Sequence, residues 1–160
     1  ILDELPVRVN AQGVHCVFPG IYDVVYLNLE FQSNILAHIH VSWLDPCKVR
    51  RVTIVGSQKM VVYNDVESLE KIKLYDKGVV TPVYTDTFRE FNCSYRYGDV
   101  LIPYVPFIEP LKLECQHFVD CIIQHVEPCT CGHKGLQVVK IIDAAQRSLT
   151  NCGHTEEIQW

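Results

Sequence analysis

The chain has 160 residues, 48% of them hydrophobic and 21% charged, with a formal net charge of −5. That length suits one domain with a single sizeable core. Lys and Arg are scattered apart from the short run Lys48, Arg50 and Arg51, which excludes the concentrated basic patch of a nucleic-acid surface. No apolar run approaches the roughly 20 residues of a membrane helix, and no secretory leader is visible. A cytoplasmic protein is expected, with its eight cysteines held as reduced thiols.

In chain order, residues 5–18 alternate loosely as one strand or two short ones, and Pro19-Gly20 marks a turn. From Ile21 to Phe31 the alternation is clean, with Val25, Leu27, Leu29 and Phe31 on one side and Val24, Tyr26, Asn28 and Glu30 on the other. Gln32-Ser33-Asn34 reads as a hairpin connection. The strand Ile35–Leu44 sets Ala37, Ile39 and Val41 against Leu36, His38, His40 and Ser42. Further strands are predicted at Val49–Val55, Met60–Tyr63 and Lys71–Tyr75, with Asp45-Pro46, Gly56-Ser57 and Asp76-Lys77-Gly78 as the turns between and after them. Residues 79–92 read as an irregular connection and Cys93–Tyr97 as a last strand.

Two amphipathic helices close the pattern. Leu111, Cys115, Phe118 and Ile122 form one apolar stripe of 3.6-residue period; Val138, Ile141, Ile142, Ala145 and Leu149 form another. Pro110 suits the first helical position, with Glu109 and Glu114 placed at the positive end, and Gly153 suits the end of the second helix. The expected class is therefore α+β: an open-faced, mostly antiparallel sheet of about six strands with two C-terminal helices packed on one face. The other face carries Val24, Tyr26, Leu36, Val52 and Ile54, so a second copy of the chain is the expected partner.

The chemistry-bearing residues gather in three places. Cys129, Cys131 and His133 lie between the helices, near Cys115, His117, Cys121 and His125. A single residue between the cysteines does not match the usual zinc spacing, so no metal ligand is nominated. His38 and His40 share a strand face but lack an evident third ligand. The segment Trp43–Arg51 offers an aromatic ring, a carboxylate and three cations on a loop, a combination suited to a sugar or phosphorylated ligand. There is no nucleophile elbow, no phosphate-binding loop and no Gly-x-Gly anywhere in the chain.

Three stretches together resemble the C-terminal domain of the Gfo/Idh/MocA oxidoreductases. They are LAHIHVSWLDPCKVRRVTIVGSQKMVVYND (36–65), RYGDVLIPYVPFIEPLKLECQHFVDCI (96–122) and GLQVVKIIDAAQRSL (135–149). Among those enzymes the sequence is most similar to bacterial dehydrogenases that oxidise the 3-hydroxyl of a UDP-N-acetyl-hexosamine or its uronic acid. The resemblance implies that an N-terminal Rossmann domain binding NAD(P) belongs to a longer parent and is absent from this chain. The family's catalytic Lys, in a Glu-Lys-Pro motif, and its Asp-x-x-x-His pair have no counterpart here, so no catalytic or cofactor-binding residue is carried over. The single Met, at position 60, agrees with a piece of a longer chain.

Residues 1–160 are thus expected to form one substrate-binding and oligomerisation domain of an NAD(P)-dependent sugar or sugar-nucleotide dehydrogenase. Trp43, Lys48, Arg50 and Arg96 are the candidate contacts to a sugar or UDP-sugar, and a dimer or tetramer is the expected assembly. Rival readings are a non-catalytic assembly or regulatory module and a zinc domain centred on Cys129, Cys131 and His133.

Overall fold

A computed structural model of the chain describes residues 2–80 and 94–160. Most of the irregular connection expected over 79–92, and Cys93 of the strand expected to follow it, lie outside the described residues. Two compact units are formed, one by residues 1–45 and 114–160 and the other by residues 46–113.

The first unit holds strands β1 (Pro6–Val14), β2 (Val24–Phe31), β3 (Leu36–Ser42) and β8 (Glu156–Glu157), ordered β3-β2-β1-β8, with every pairing antiparallel. The hairpin between β2 and β3 closes through Phe31 N–H on Ile35 O and Asn34 N–H on Phe31 O; Asn34 takes the left-handed backbone that Asn tolerates, φ 62°. Helix α2 (Gly132–Thr150) packs on one sheet face. Val9, Ala11 and Leu29 meet Ala144, Ala145 and Ile158 in a buried cluster, with Leu27, Phe31, Ala37, Ile141 and Leu149 around it.

Ile141, Ala145 and Leu149 of the expected stripe pack on the core, but the stripe is centred on smaller neighbours and leaves its other two members out. Ala144, Ala145 and Ser148 are buried, whereas Val138 and Ile142 face solvent, because a line of small residues lets α2 approach β1 closely. Helix α1 (Pro110–Gln124) buries Cys121, while Leu111, Cys115, Phe118 and Ile122 are exposed. Geometry accounts for this: three full strands spaced about 4.8 Å apart span roughly 10 Å, about the width of one helix.

The second unit is an antiparallel sheet in the order β4-β5-β6-β7, from Arg51–Val55, Met60–Asn64, Ile72–Val80 and Ser94–Leu101. The strand expected to stop before Asp76-Lys77-Gly78 runs on to Val80. A bulge between Tyr75 and Lys77 absorbs the turn-forming residues, and the lack of a side chain at Gly78 makes room for Ser57 O, which lies 2.6 Å from where a Cβ would sit. The α+β class, the antiparallel pairing and the C-terminal helical pair stand as expected, with the eight described strands divided between two sheets rather than gathered in one of about six.

Among the described residues no helix is long and apolar enough to cross a membrane. Cys16, Cys47, Cys115, Cys121, Cys129, Cys131 and Cys152 are free thiols.

Candidate functional site

The candidate rim starts where β3 ends. Asp23 is buried, and its carboxylate accepts the amides of Cys16 (2.6 Å) and Val17 (2.9 Å), holding the loop before β2. Its own carbonyl accepts the Trp43 amide at 2.9 Å, so Asp23 also fixes the backbone from which Trp43 projects. The Trp43 side chain is free to meet a ligand, being 86% exposed. Lys48 is exposed as well.

Arg50 enters a charged cluster at one end of the second sheet. The Asp65 amide donates to Arg50 O at 2.9 Å, and the Arg50 guanidinium stands 3.5 Å from the Asp65 carboxylate. Tyr63 donates its hydroxyl to the same carboxylate at 2.8 Å, and Lys71 Nζ lies 3.5 Å from it. The Tyr63 hydrogen bond, helped by Lys71, holds the Asp65 carboxyl below its ordinary value, and the same bond raises the Tyr63 phenol. Two cations therefore share one carboxylate, leaving a net positive charge to which an anionic ligand can add.

Beside this cluster a shallow hollow of about 250 Å³ opens on one face of β4, β5 and β6. Arg51 opposes Asn64 across the first pair of strands, Val62 opposes Lys73 across the second, and Glu67, Glu70 and Tyr75 complete the wall. The Lys73 ammonium contacts Glu70 at 2.6 Å, and that partner raises its pKa. Donors and acceptors interleaved around a Tyr ring suit hydroxyl groups better than an apolar ligand. Sequence reasoning missed Asn64, Glu67, Glu70 and Tyr75. Only the cross-strand register brings them together, and nothing in their local spacing marks it.

Arg96 stands apart from Arg50. It pairs with Gly78 on β6, close to the β4–β5 hairpin, and its guanidinium is engaged by Asp76 at 2.7 Å. Arg50 precedes β4 at the opposite end of that sheet. Trp43 belongs to the first unit, and Lys48, Arg50 and Arg96 to the second.

His38 and His40 lie on the face of β3 opposite the core. His40 stacks on Tyr26 with ring centroids 4.4 Å apart, while His38 Nδ1 donates to Asn28 Oδ1 at 2.8 Å. Both imidazoles thus have structural partners. Among the described residues no three His, Cys, Asp or Glu side chains converge at metal-binding geometry.

No family model matches the sequence, and no curated protein is similar to it at a significant level. Solved structures are. An aldose-aldose oxidoreductase from Caulobacter crescentus, complexed with glycerol, shares 20% identity over 96% of this chain, with a TM-score of 0.68. The UDP-N-acetylglucosamine 3-dehydrogenase GnnA from Acidithiobacillus ferrooxidans shares 15% over 91% of the chain, with a TM-score of 0.70. The fold of this chain is therefore one that it shares with part of each of these two oxidoreductases. A levoglucosan dehydrogenase in complex with NADH and L-sorbose shares 13% identity over 97% of the chain, again at a TM-score of 0.70. This chain spans 42%, 40% and 45% of the lengths of those three proteins.

The described residues do not themselves fit a dinucleotide. Both sheets are antiparallel, with no strand–turn–helix crossover to deliver a helix N-terminus to a pyrophosphate. The N-terminus of α1 is already met by the Glu109 carboxylate, which accepts the Lys112 amide at 2.6 Å.

Proposed function

We propose that this chain is the substrate-binding and oligomerisation domain of an NAD(P)-dependent sugar or sugar-nucleotide dehydrogenase, working in the cytoplasm as part of a longer parent. The observation that carries the proposal is the fold: nearly the whole chain superimposes on less than half of each of several sugar oxidoreductases. In the parent, hydride would pass between a sugar carbon and nicotinamide held by the other half. This chain's residues would bind and orient the sugar. Trp43 supplies a stacking surface, and Lys48 and Arg50 supply cations for a diphosphate. Arg96, ion-paired at the far end of its sheet, is the member of the set expected to contribute least.

Saturation-transfer NMR on the purified chain with UDP-N-acetylglucosamine, UDP and the free sugar tests the reading. Transfer to sugar or uridine protons is the expected result, and no transfer from any of the three would refute it.

A second reading, a non-catalytic assembly module, is favoured by the apolar side chains that the helices leave in solvent, Phe118, Ile122, Val139 and Ile142 among them. Light scattering behind size exclusion separates the two when read with the NMR. Stable oligomers without sugar binding would favour assembly alone.

A further inference from the structure

Among the described residues, β3 is the edge strand that carries no charge. The other edge strands are blunted: β8 is two residues, both Glu, β4 is five residues opening with Arg51, and β7 carries Arg96 and Asp99. Charge, shortness and Pro are the means by which proteins keep an edge from templating another strand. Leu36–Ser42, LAHIHVS, has none of them.

The bonds of the hairpin fix which groups face outward. Phe31 N–H donates to Ile35 O and Trp43 N–H to Asp23 O, so the pairs bonded between β2 and β3 are Leu29–Ala37, Leu27–Ile39 and Val25–Val41. The N–H and C=O of Leu36, His38, His40 and Ser42 therefore point away from β2, and among the described residues they have no backbone partner. The imidazoles do not shield them, because His40 stacks on Tyr26 and His38 bonds Asn28, both on β2. On the other face Ile39 and Val41 stay 38% and 52% exposed, since the buried cluster reaches Ala37 but not them.

We propose that this edge pairs antiparallel with the same edge of a second copy, about a twofold axis at Ile39. The edge itself names its occupant, for it reads nearly alike from either end: around Ile39, His38 matches His40 and Ala37 matches Val41. In that register His38 of one copy meets His40 of the other and Leu36 meets Ser42, so every outward N–H and C=O finds a mate. Ile39 stands against Ile39 with Cα atoms about 4.5 Å apart, and Val41 against Ala37, which covers the side chains the core leaves open. Two four-stranded sheets become one, and the twofold axis closes the contact at a dimer. The inference rests on the oligomerisation reading and deepens it by naming the surface.

Light scattering behind size exclusion, over a concentration series of the purified chain, tests it. Twice 18.4 kDa is expected for the wild type. His40→Pro removes a donor that faces away from β2, which an edge strand tolerates. Two ladder bonds of the dimer are lost, and it should weaken about 30-fold or more. His40→Ala keeps the N–H and should remain a dimer. Ile39→Lys and Ile39→Glu should each be monomeric and should dimerise when mixed; this pair decides the matter if circular dichroism shows His40→Pro unfolded. A monomeric wild type would overturn the edge and the oligomerisation reading together. An oligomer that folded His40→Pro and the separate Ile39 variants leave intact would overturn the edge alone.

Discussion

Ser148 is fully buried on α2, and replacing it with Ala should cost far more than one hydroxyl suggests. Its Oγ accepts the Ala11 amide at 2.9 Å and donates to His154 O at 2.6 Å. The Ala11 amide needs that acceptor because β8 pairs only with Arg8 and Val9 and ends before reaching it. One hydroxyl thus takes the place of the missing strand and ties the helix to both β1 and the loop leading into β8. Ser148→Ala leaves a buried N–H and a part-buried carbonyl without partners, at about 1–3 kcal/mol for each fully orphaned group, or roughly 2–4 kcal/mol together. With a urea m-value of about 2 kcal/mol/M, the unfolding midpoint should fall by roughly 1–2 M. Thr150→Ala is the matched control, since that exposed hydroxyl bonds only to carbonyls of its own helix; it should move the midpoint by less than about 0.3 M, in line with a surface change of under 0.5 kcal/mol. Equal midpoints for the two variants would refute the reasoning.

Further outcomes follow from the same geometry. Asp23→Ala removes the acceptor of the Cys16 and Val17 amides and should destabilise the chain by about 2–4 kcal/mol in urea. Gly13→Ala should lower the melting temperature, because a Cβ there would sit 2.9 Å from Val24 O and 3.1 Å from Leu149 Cδ2; an unchanged value would show that the strand yields. The Asp65 carboxyl, held low first by Tyr63, stabilises the fold above its unfolded pKa of about 3.9. That contribution is lost as pH falls through the lowered folded value, and carbon-detected NMR should show Tyr63→Phe moving the Asp65 midpoint upward.

Much of the fold was legible because strand alternation and helix periodicity record burial directly. The clean alternation of Val25, Leu27, Leu29 and Phe31 became β2, and Gly153, at φ 79°, lies just past the end of α2 as its lack of a side chain suggested. Periodicity could not say which stripe of α2 would pack. Ile141, Ala145 and Leu149 of the expected stripe do pack, yet the helix is turned so that small Ala144 and Ser148 are buried beside them while the more hydrophobic Val138 and Ile142 stay exposed. Asp76-Lys77-Gly78 read as a turn because local chemistry cannot reveal a bulge. In the structure Lys77 lies 5.7 Å from the Tyr75 ring and 5.3 Å from the Tyr97 ring, a cation–π pairing that supports the continued strand. Trp43, Lys48 and Arg50 were legible as a loop rich in binding chemistry, but the role of Asp23 in holding the Trp43 backbone depended on a hydrogen bond across 20 residues of chain.

The proposed function has Lys48 and Arg50 of the second unit supply the cations that meet the diphosphate of a sugar nucleotide. Calorimetric titration with UDP-N-acetylglucosamine tests it most directly. Micromolar binding is expected, weakened about tenfold or more by either Lys48→Ala or Arg50→Ala, as the loss of a charge-assisted contact to phosphate implies, and little changed by Arg96→Ala. The absence of binding heat at millimolar ligand, or binding that both rim variants leave unchanged, would contradict the account.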